Sequence, residues 1–69
     1  MTYIIKFNDW ILSTRYEKAV EALLGYGGTW TKDPNQFKYF KKHSDAIKEL
    51  RLMNQYGCGV GAIIVRKDK

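Results

Sequence analysis

The stretch that decides the fold is SDAIKELRLMNQYGCGVGAIIV, residues 44–65. Ser44 as N-cap, with Asp45 in the first turn, is typical of the start of a helix. The apolar and small side chains that follow share one helical face: Ala46, Ile47, Leu50, Met53 and Asn54. Gly57 stands where a left-handed C-cap is needed, so we expect the helix to end near Tyr56. The apolar run that follows predicts a strand from residue 58 onward.

Three glycines, Gly57, Gly59 and Gly61, occupy every second position at the junction of this helix and strand. A phosphate-binding loop requires a strand, then glycines, then a helix, and the order here is reversed. Gly59 and Gly61 instead leave one face of the predicted strand bare, so that the first helix of this chain, predicted over residues 15–24, or a partner surface can lie close over it. Residues 60–65 are apolar on both faces, which predicts a central strand.

The N-terminal part of the chain predicts a hairpin and then a helix. Residues 2–7 and 10–13 have strand-like composition, and Asn8-Asp9 is a turn-prone pair between them. One bulged strand is the alternative interpretation. Thr14 and Glu17 form a capping box for a helix over residues 15–24, with apolar side chains at helical spacing.

The middle segment, TWTKDPNQFKYFKK (residues 29–42), permits two interpretations. Asp33, Pro34 and Gln36 are typical of a helix start, and one helix could run over residues 34–55. His43-Ser44 offers a second start, which favours a short helical turn, a strand over about residues 38–42 and a new helix. We therefore predict one α+β domain, residues 1–69, with a small, mainly antiparallel sheet of three to four strands and two helices in the order β-β-α-(β)-β-α-β.

Composition limits the class of protein. The chain has 69 residues, of which 45% are hydrophobic, and this suits a small packed core. No apolar run reaches the ~18 residues needed to span a bilayer, and the N-terminus does not resemble a signal peptide. One cysteine, Cys58, cannot form an internal disulfide, so we expect a cytoplasmic protein. The net charge of +5 favours nucleic acid or an acidic protein surface as partner.

Catalytic chemistry finds little support in the sequence. His43 is the only histidine and Cys58 the only cysteine, which is too few for a four-ligand metal site. The seven acidic residues are dispersed, and those in the body of the chain have local roles in turns, caps and solvated helix faces. The sequence therefore predicts a protein that is not an enzyme and that uses no cofactor or metal.

Two sets of residues are candidates for binding. The first is a basic-aromatic surface made of Lys38, Tyr39, Lys41, Lys42, Lys48 and Arg51. Lysines neutralise phosphates and exposed rings stack on bases, so this set suits nucleic acid. In the alternative interpretation, Phe37 and Phe40 enter the core and the lysines protect an edge strand. The second set contains the apolar contact candidates Trp30, Leu52, Gly59 and Gly61.

The segment TWTKDPNQFKYFKKHSDAIKEL, with the strand that follows, resembles a pattern found in small accessory proteins of bacteriophages and prophages (residues 30–65 here). The pattern is a short strand, an acid-Pro turn, a basic-aromatic strand, a helix that starts at Ser or Thr, and a final strand. The resemblance implies a phage-encoded protein that binds a host protein or protein–nucleic-acid complex in the bacterial cytoplasm, including as an inhibitor of a defence system such as CRISPR-Cas. A nucleic-acid-binding module and a small structural homo-oligomer are the alternatives.

Overall fold

A computed structural model describes residues 1–15, 29–57 and 59–68. Its elements are β1 (Tyr3–Phe7), β2 (Trp10–Leu12), β3 (Trp30–Thr31), a 3-10 turn (Pro34–Gln36), α1 (His43–Gln55) and β4 (Ile63–Arg66). The four strands form one antiparallel sheet in the order β3-β2-β1-β4, which confirms the predicted α+β fold. The sequence predicts two helices; α1 is the one α-helix in the described residues. The helix predicted over 15–24, with Glu17 of its capping box, lies outside them apart from residue 15.

The predicted hairpin is confirmed. Phe7 lies opposite Trp10 and Lys6 opposite Ile11, with Asn8-Asp9 as the two-residue turn. Asn8 has φ +53°, a left-handed conformation that asparagine tolerates better than most residues. The interpretation as one bulged strand is therefore wrong.

The short helical turn after β3 is also confirmed. The Asp33 carboxylate accepts a hydrogen bond from the Asn35 N–H at 3.0 Å, and Pro34 opens the turn. Phe37 then returns to extended backbone, so a single helix over residues 34–55 is excluded.

Residues 36–40, which we call the wedge segment, lie between β1 and β2 where the two strands no longer pair. On one side, the Lys38 N–H donates to the Leu12 carbonyl at 2.9 Å, and the Thr14 N–H donates to the Gln36 carbonyl at 2.8 Å. On the other side, the wedge segment bonds to the start of β1. The backbone is therefore bonded along both of its sides.

The prediction of a strand over about residues 38–42 is wrong, because the bridged residues are Phe37 and Phe40 and they do not form a regular strand. Tyr3 and Phe40 exchange two backbone hydrogen bonds at 2.9 and 2.8 Å, and Ser13 bridges to Phe37. These are isolated bridges to two different strands, not a continuous ladder. The chain crosses from β2 to β1 within four residues, which leaves no length for a regular strand.

Helix α1 begins earlier than the sequence predicts and ends as predicted. Lys42, not Ser44, is the N-cap, with extended backbone and no capping bond from its side chain. The Phe40–Tyr3 bridge keeps the preceding chain extended up to this point, and the helix begins directly afterwards. At the other end Gly57 has φ +80°, and its N–H donates to the Asn54 carbonyl at 3.1 Å, which confirms the glycine cap.

The final strand is shorter than predicted, and it is the outermost strand of the sheet instead of a central one. Residues 59–62 form a turn, in which the Ala62 N–H donates to the Gly59 carbonyl at 3.0 Å and Gly61 has φ +86°. β4 therefore starts at Ile63. Its apolar residues serve two purposes: Ile64 packs on the core, while Ile63 is 58% exposed.

The core lies between α1 and the sheet. Ile5, Leu12 and Met53 are fully buried there. The side chains packed around them are Trp30, Phe40, Leu50, Ala62 and Ile64. Ile4 and Ile11 are also buried, at 3% and 5% exposure. Because successive strand residues point to opposite faces, both faces of the β1–β2 pair are covered.

Gly59 is covered by α1. A Cβ added at Gly59 would lie 2.9 Å from the Met53 Cβ, 3.2 Å from the Asn54 Oδ1 and 3.3 Å from the Leu50 Cδ1. The element that lies close over Gly59 is therefore α1, the helix directly before the glycine, and not a partner surface. The first helix, predicted over residues 15–24 as the other candidate, lies outside the described residues apart from residue 15.

We expect Gly59→Ala to lower the free energy of unfolding by about 1–3 kcal/mol, because the Met53 Cβ belongs to the helix and cannot move away alone. Urea denaturation followed by circular dichroism measures this. The control is Val60→Ala at the adjacent position, which is 68% exposed and should change stability by less than about 0.5 kcal/mol. Equal stability of the two variants would contradict the close packing of Gly59.

Candidate macromolecule-binding surfaces

An exposed aromatic surface lies at the hairpin end of the sheet. Phe7 and Trp10 are directly opposite each other in the β1–β2 pair, so their side chains share one face. The Phe7 ring also meets the Trp30 ring, with centroids 6.0 Å apart and planes inclined by 45°. Phe7 is 37% exposed and Trp10 is 42% exposed. We call Phe7, Trp10 and Trp30 the aromatic patch.

The positions of these rings follow from local features of the sequence. The two-residue turn places Phe7 and Trp10 at the end of the hairpin, and strand alternation directs Phe7 to the same face as Ile5. Gly61 allows the Phe7 ring to lie close over the turn before β4. A Cβ added at Gly61 would lie 3.3 Å from the Phe7 Cε2.

A positive charge borders the aromatic patch. The Lys32 Nζ lies 4.6 Å from the centroid of the Trp10 ring, within the range of a cation–π contact. Lys32 itself is exposed. The patch therefore offers a partner an apolar centre with a cationic rim.

The structure separates the apolar candidates that the sequence indicates. Trp30 is half-buried in the aromatic patch, and Gly61 lies beneath Phe7. Leu52 is 42% exposed on the outer side of α1. Gly59 is buried beneath α1 and presents no surface to a partner. Sequence reasoning missed Phe7 and Trp10, although two aromatic residues flanking a two-residue turn must share a face.

The basic residues also divide into two groups. The exposed cations Lys41, Lys42, Lys48 and Arg51 form what we call the basic surface. No described residue forms an ion pair with any of them, and the pair between Arg66 and Asp68, at 3.7 Å, is the one salt bridge in the described parts of the chain. These four charges are therefore available to an anionic partner.

Lys38 and Tyr39 belong instead to the wedge segment and are half-buried. The Lys38 Nζ lies 5.9 Å from the Phe40 ring centroid, and the rings of Tyr39 and Phe37 are 6.3 Å apart. Phe40 packs against the core, as the alternative interpretation predicts. The same interpretation is wrong about an edge strand, because the wedge segment lies between two strands.

Metal chemistry has no site in the described residues, which contain no group of three or more His, Cys, Asp or Glu that could hold an ion. His43 packs against the Tyr3 ring edge-on, with ring centroids 5.1 Å apart. Across residues 1–15, 29–57 and 59–68, no helix has the length and apolar character to cross a membrane.

Comparisons of the chain with protein-family models, with curated proteins and with solved structures found no match.

The exposures of the two tryptophans can be checked by fluorescence. We expect Trp30→Phe, in which Trp10 is the remaining emitter, to emit at longer wavelength and to be quenched more strongly by acrylamide than Trp10→Phe. The reason is that Trp10 lies at the surface, whereas Trp30 packs against the core. Equal quenching of the two variants would contradict an exposed Trp10.

Proposed function

We propose that this protein is a small, non-enzymatic binding protein that docks a protein partner through the aromatic patch. The observation that carries the proposal is the pair Phe7 and Trp10, two large rings on one sheet face that are each exposed by more than a third. Aromatic residues are enriched in the centres of protein interfaces, and tryptophan is prominent among hot spots.

Energetics support a binding role for these rings. A small domain has few large apolar side chains, and burying them supplies most of its stability. Leaving Trp10 at 42% exposure gives up part of that gain. A partner that covers the aromatic patch recovers it on binding.

The chemistry of the partner follows from the charges. Lys32 stands at the rim of the aromatic patch, and the chain carries a net charge of +5. An apolar pocket bordered by carboxylates would match both features, because complementary charges accelerate association and exclude wrong partners. The partner we propose is thus a protein with an acidic surface.

The resemblance of residues 30–65 to phage accessory proteins extends the proposal to a biological setting. It favours a host protein or protein–nucleic-acid complex in the bacterial cytoplasm as the target, and inhibition of a defence system such as CRISPR-Cas as the consequence. The resemblance is the support for this setting, whereas the aromatic patch is the support for docking.

Capture of partners from a nuclease-treated bacterial lysate tests the docking surface. We expect Trp10→Ala to reduce the recovery of a stoichiometric protein at least about tenfold, the usual loss when a hot-spot ring is truncated. Leu52→Ala is the matched control, since Leu52 has the same 42% exposure but lies on α1. Full capture by Trp10→Ala together with loss in Leu52→Ala would move the interface to the helix and overturn the proposal.

Binding of nucleic acid through the basic surface is the second candidate function. The observation in its favour is that Lys41, Lys42, Lys48 and Arg51 are exposed and have no ion pair within the described residues. Lys48 and Arg51 are three positions apart on α1 and therefore point to similar sides of the helix.

Salt dependence tests this second candidate. If all four cations contact phosphates, replacing them together with glutamine should reduce the slope of log affinity against log salt concentration by about 3. Fluorescence polarisation of labelled single-stranded and duplex DNA measures the slope, with Lys67→Gln as a control on β4's side of the molecule. An unchanged slope in the fourfold variant would exclude the basic surface as the binding site.

A further inference from the structure

The outer edge of β4 carries backbone groups without hydrogen-bond partners in the described part of the chain. The Lys67 N–H donates to the Thr2 carbonyl at 2.9 Å, so this pair is a bonded one in the antiparallel ladder. Bonded and non-bonded pairs alternate along such a ladder. Arg66, opposite Tyr3, and Ile64, opposite Ile5, are therefore in non-bonded pairs. Their N–H and C=O groups point away from β1.

The side chains along this edge are mostly apolar. Ile63 is 58% exposed, and Val65, two positions further on the same face, is half-buried. Unpaired strand edges with exposed apolar side chains readily accept another strand. Arg66 ends β4 with a positive charge, Lys67 follows it directly, and Arg66 is partly neutralised by Asp68.

We propose that β4 pairs in antiparallel fashion with β4 of a second copy of this chain, which gives a two-fold symmetric dimer with a continuous eight-stranded sheet. The edge is complementary to itself when the two-fold axis passes beside Val65. Ile64 then lies opposite Arg66 of the second copy, and the reverse pair forms by symmetry. All four outward N–H groups and all four outward C=O groups of the two strands meet a partner.

The same register suits the side chains. Val65 faces Val65 of the second copy, and each Ile63 lies diagonal to that valine, within reach for an apolar contact. Ile63, the most exposed apolar side chain of β4, becomes covered. Each Arg66 faces an isoleucine of the second copy and keeps Asp68 beside it, so no two cations are directly opposite.

Substitutions at Arg66 separate backbone pairing from side-chain effects. Arg66→Ala removes the side chain and keeps the N–H, whereas Arg66→Pro also removes the outward N–H. Proline is tolerated on an edge strand where its missing N–H faces solvent, and the ladder to β1 does not use this group. The two variants thus differ mainly in two of the hydrogen bonds that the dimer needs.

Sedimentation velocity over a wide range of protein concentration is the measurement. We expect the native chain and Arg66→Ala to shift from monomer to dimer as concentration rises, and Arg66→Pro to have a dissociation constant at least about tenfold higher. A native chain that is monomeric at every concentration overturns the proposal and leaves the edge to a foreign strand. Equal dimerisation of the proline and alanine variants overturns it as well.

If circular dichroism shows that Arg66→Pro is unfolded, Ile63→Lys is used instead. Position 63 is exposed in the single chain, so a lysine is tolerated there. In the dimer the new charge would lie against Val65 and Lys67 of the second copy. Loss of the dimer in that folded variant supports the proposal, and retention overturns it. Capture of a lysate partner through Trp10 is a separate readout that should be unchanged in Arg66→Pro, so failure of the dimer and failure of the docking function are distinguishable.

Discussion

The fold depends on the reciprocal pair of backbone hydrogen bonds between Tyr3 and Phe40, by which the wedge segment is tied to the start of β1. β1 and β2 pair with each other only over the short ladder of the hairpin, and beyond it their facing edges need other hydrogen-bond partners. Buried N–H and C=O groups without hydrogen-bond partners are costly, and the wedge segment supplies such partners to both strands. The same pair fixes where α1 begins, because the chain turns into the helix just after Phe40. It also brings His43 onto the Tyr3 ring and lets α1 run back over Ile5 toward the hairpin end.

The elements that the sequence predicts correctly are those that local chemistry decides. The Asn8-Asp9 turn, the capped turn at Asp33 and the glycine cap at Gly57 each need only a few neighbouring residues. The elements that it predicts wrongly depend on contacts between distant parts of the chain. Residues 38–42 have strand composition, yet residues 38–40 lie between β1 and β2 and Lys42 is the N-cap of α1, which no local signal encodes. The sheet order likewise makes the apolar run at β4 an edge, although its composition is typical of a central strand.

The candidate surfaces show the same division. The exposure of four cations could be predicted, since Lys41 and Lys42 directly precede α1 and Lys48 and Arg51 lie on its outer side. The aromatic patch could be predicted only in part. The sequence identifies Trp30 and Gly61 as contact candidates. Phe7 and Trp10 suit a core position as well as an exposed one, so the sequence does not single them out. Their exposure depends on the assembled fold, which no local feature of the sequence encodes. Gly59 shows the opposite difference between sequence and structure. The sequence indicates a bare backbone that suits a partner, but α1 covers this position.

The aromatic patch and the outer edge of β4 would bind by different physical means, and Gly61 contributes to the shape of both. Its missing side chain lets the Phe7 ring lie over the turn, and this sets one side of the aromatic patch. Its positive φ of +86° directs the chain into β4, and this sets the outer edge of the sheet.

The patch would bind through the burial of rings, which tolerates partners of varied shape. The edge would bind through backbone hydrogen bonds, which require a strand in register. A chain with both surfaces could dimerise along β4 while each copy keeps its aromatic patch accessible, because Phe7 lies on β1 and Trp10 on β2, away from the outer side of the sheet. Such a dimer would present two copies of the aromatic patch, and each copy would dock its own partner independently of the other.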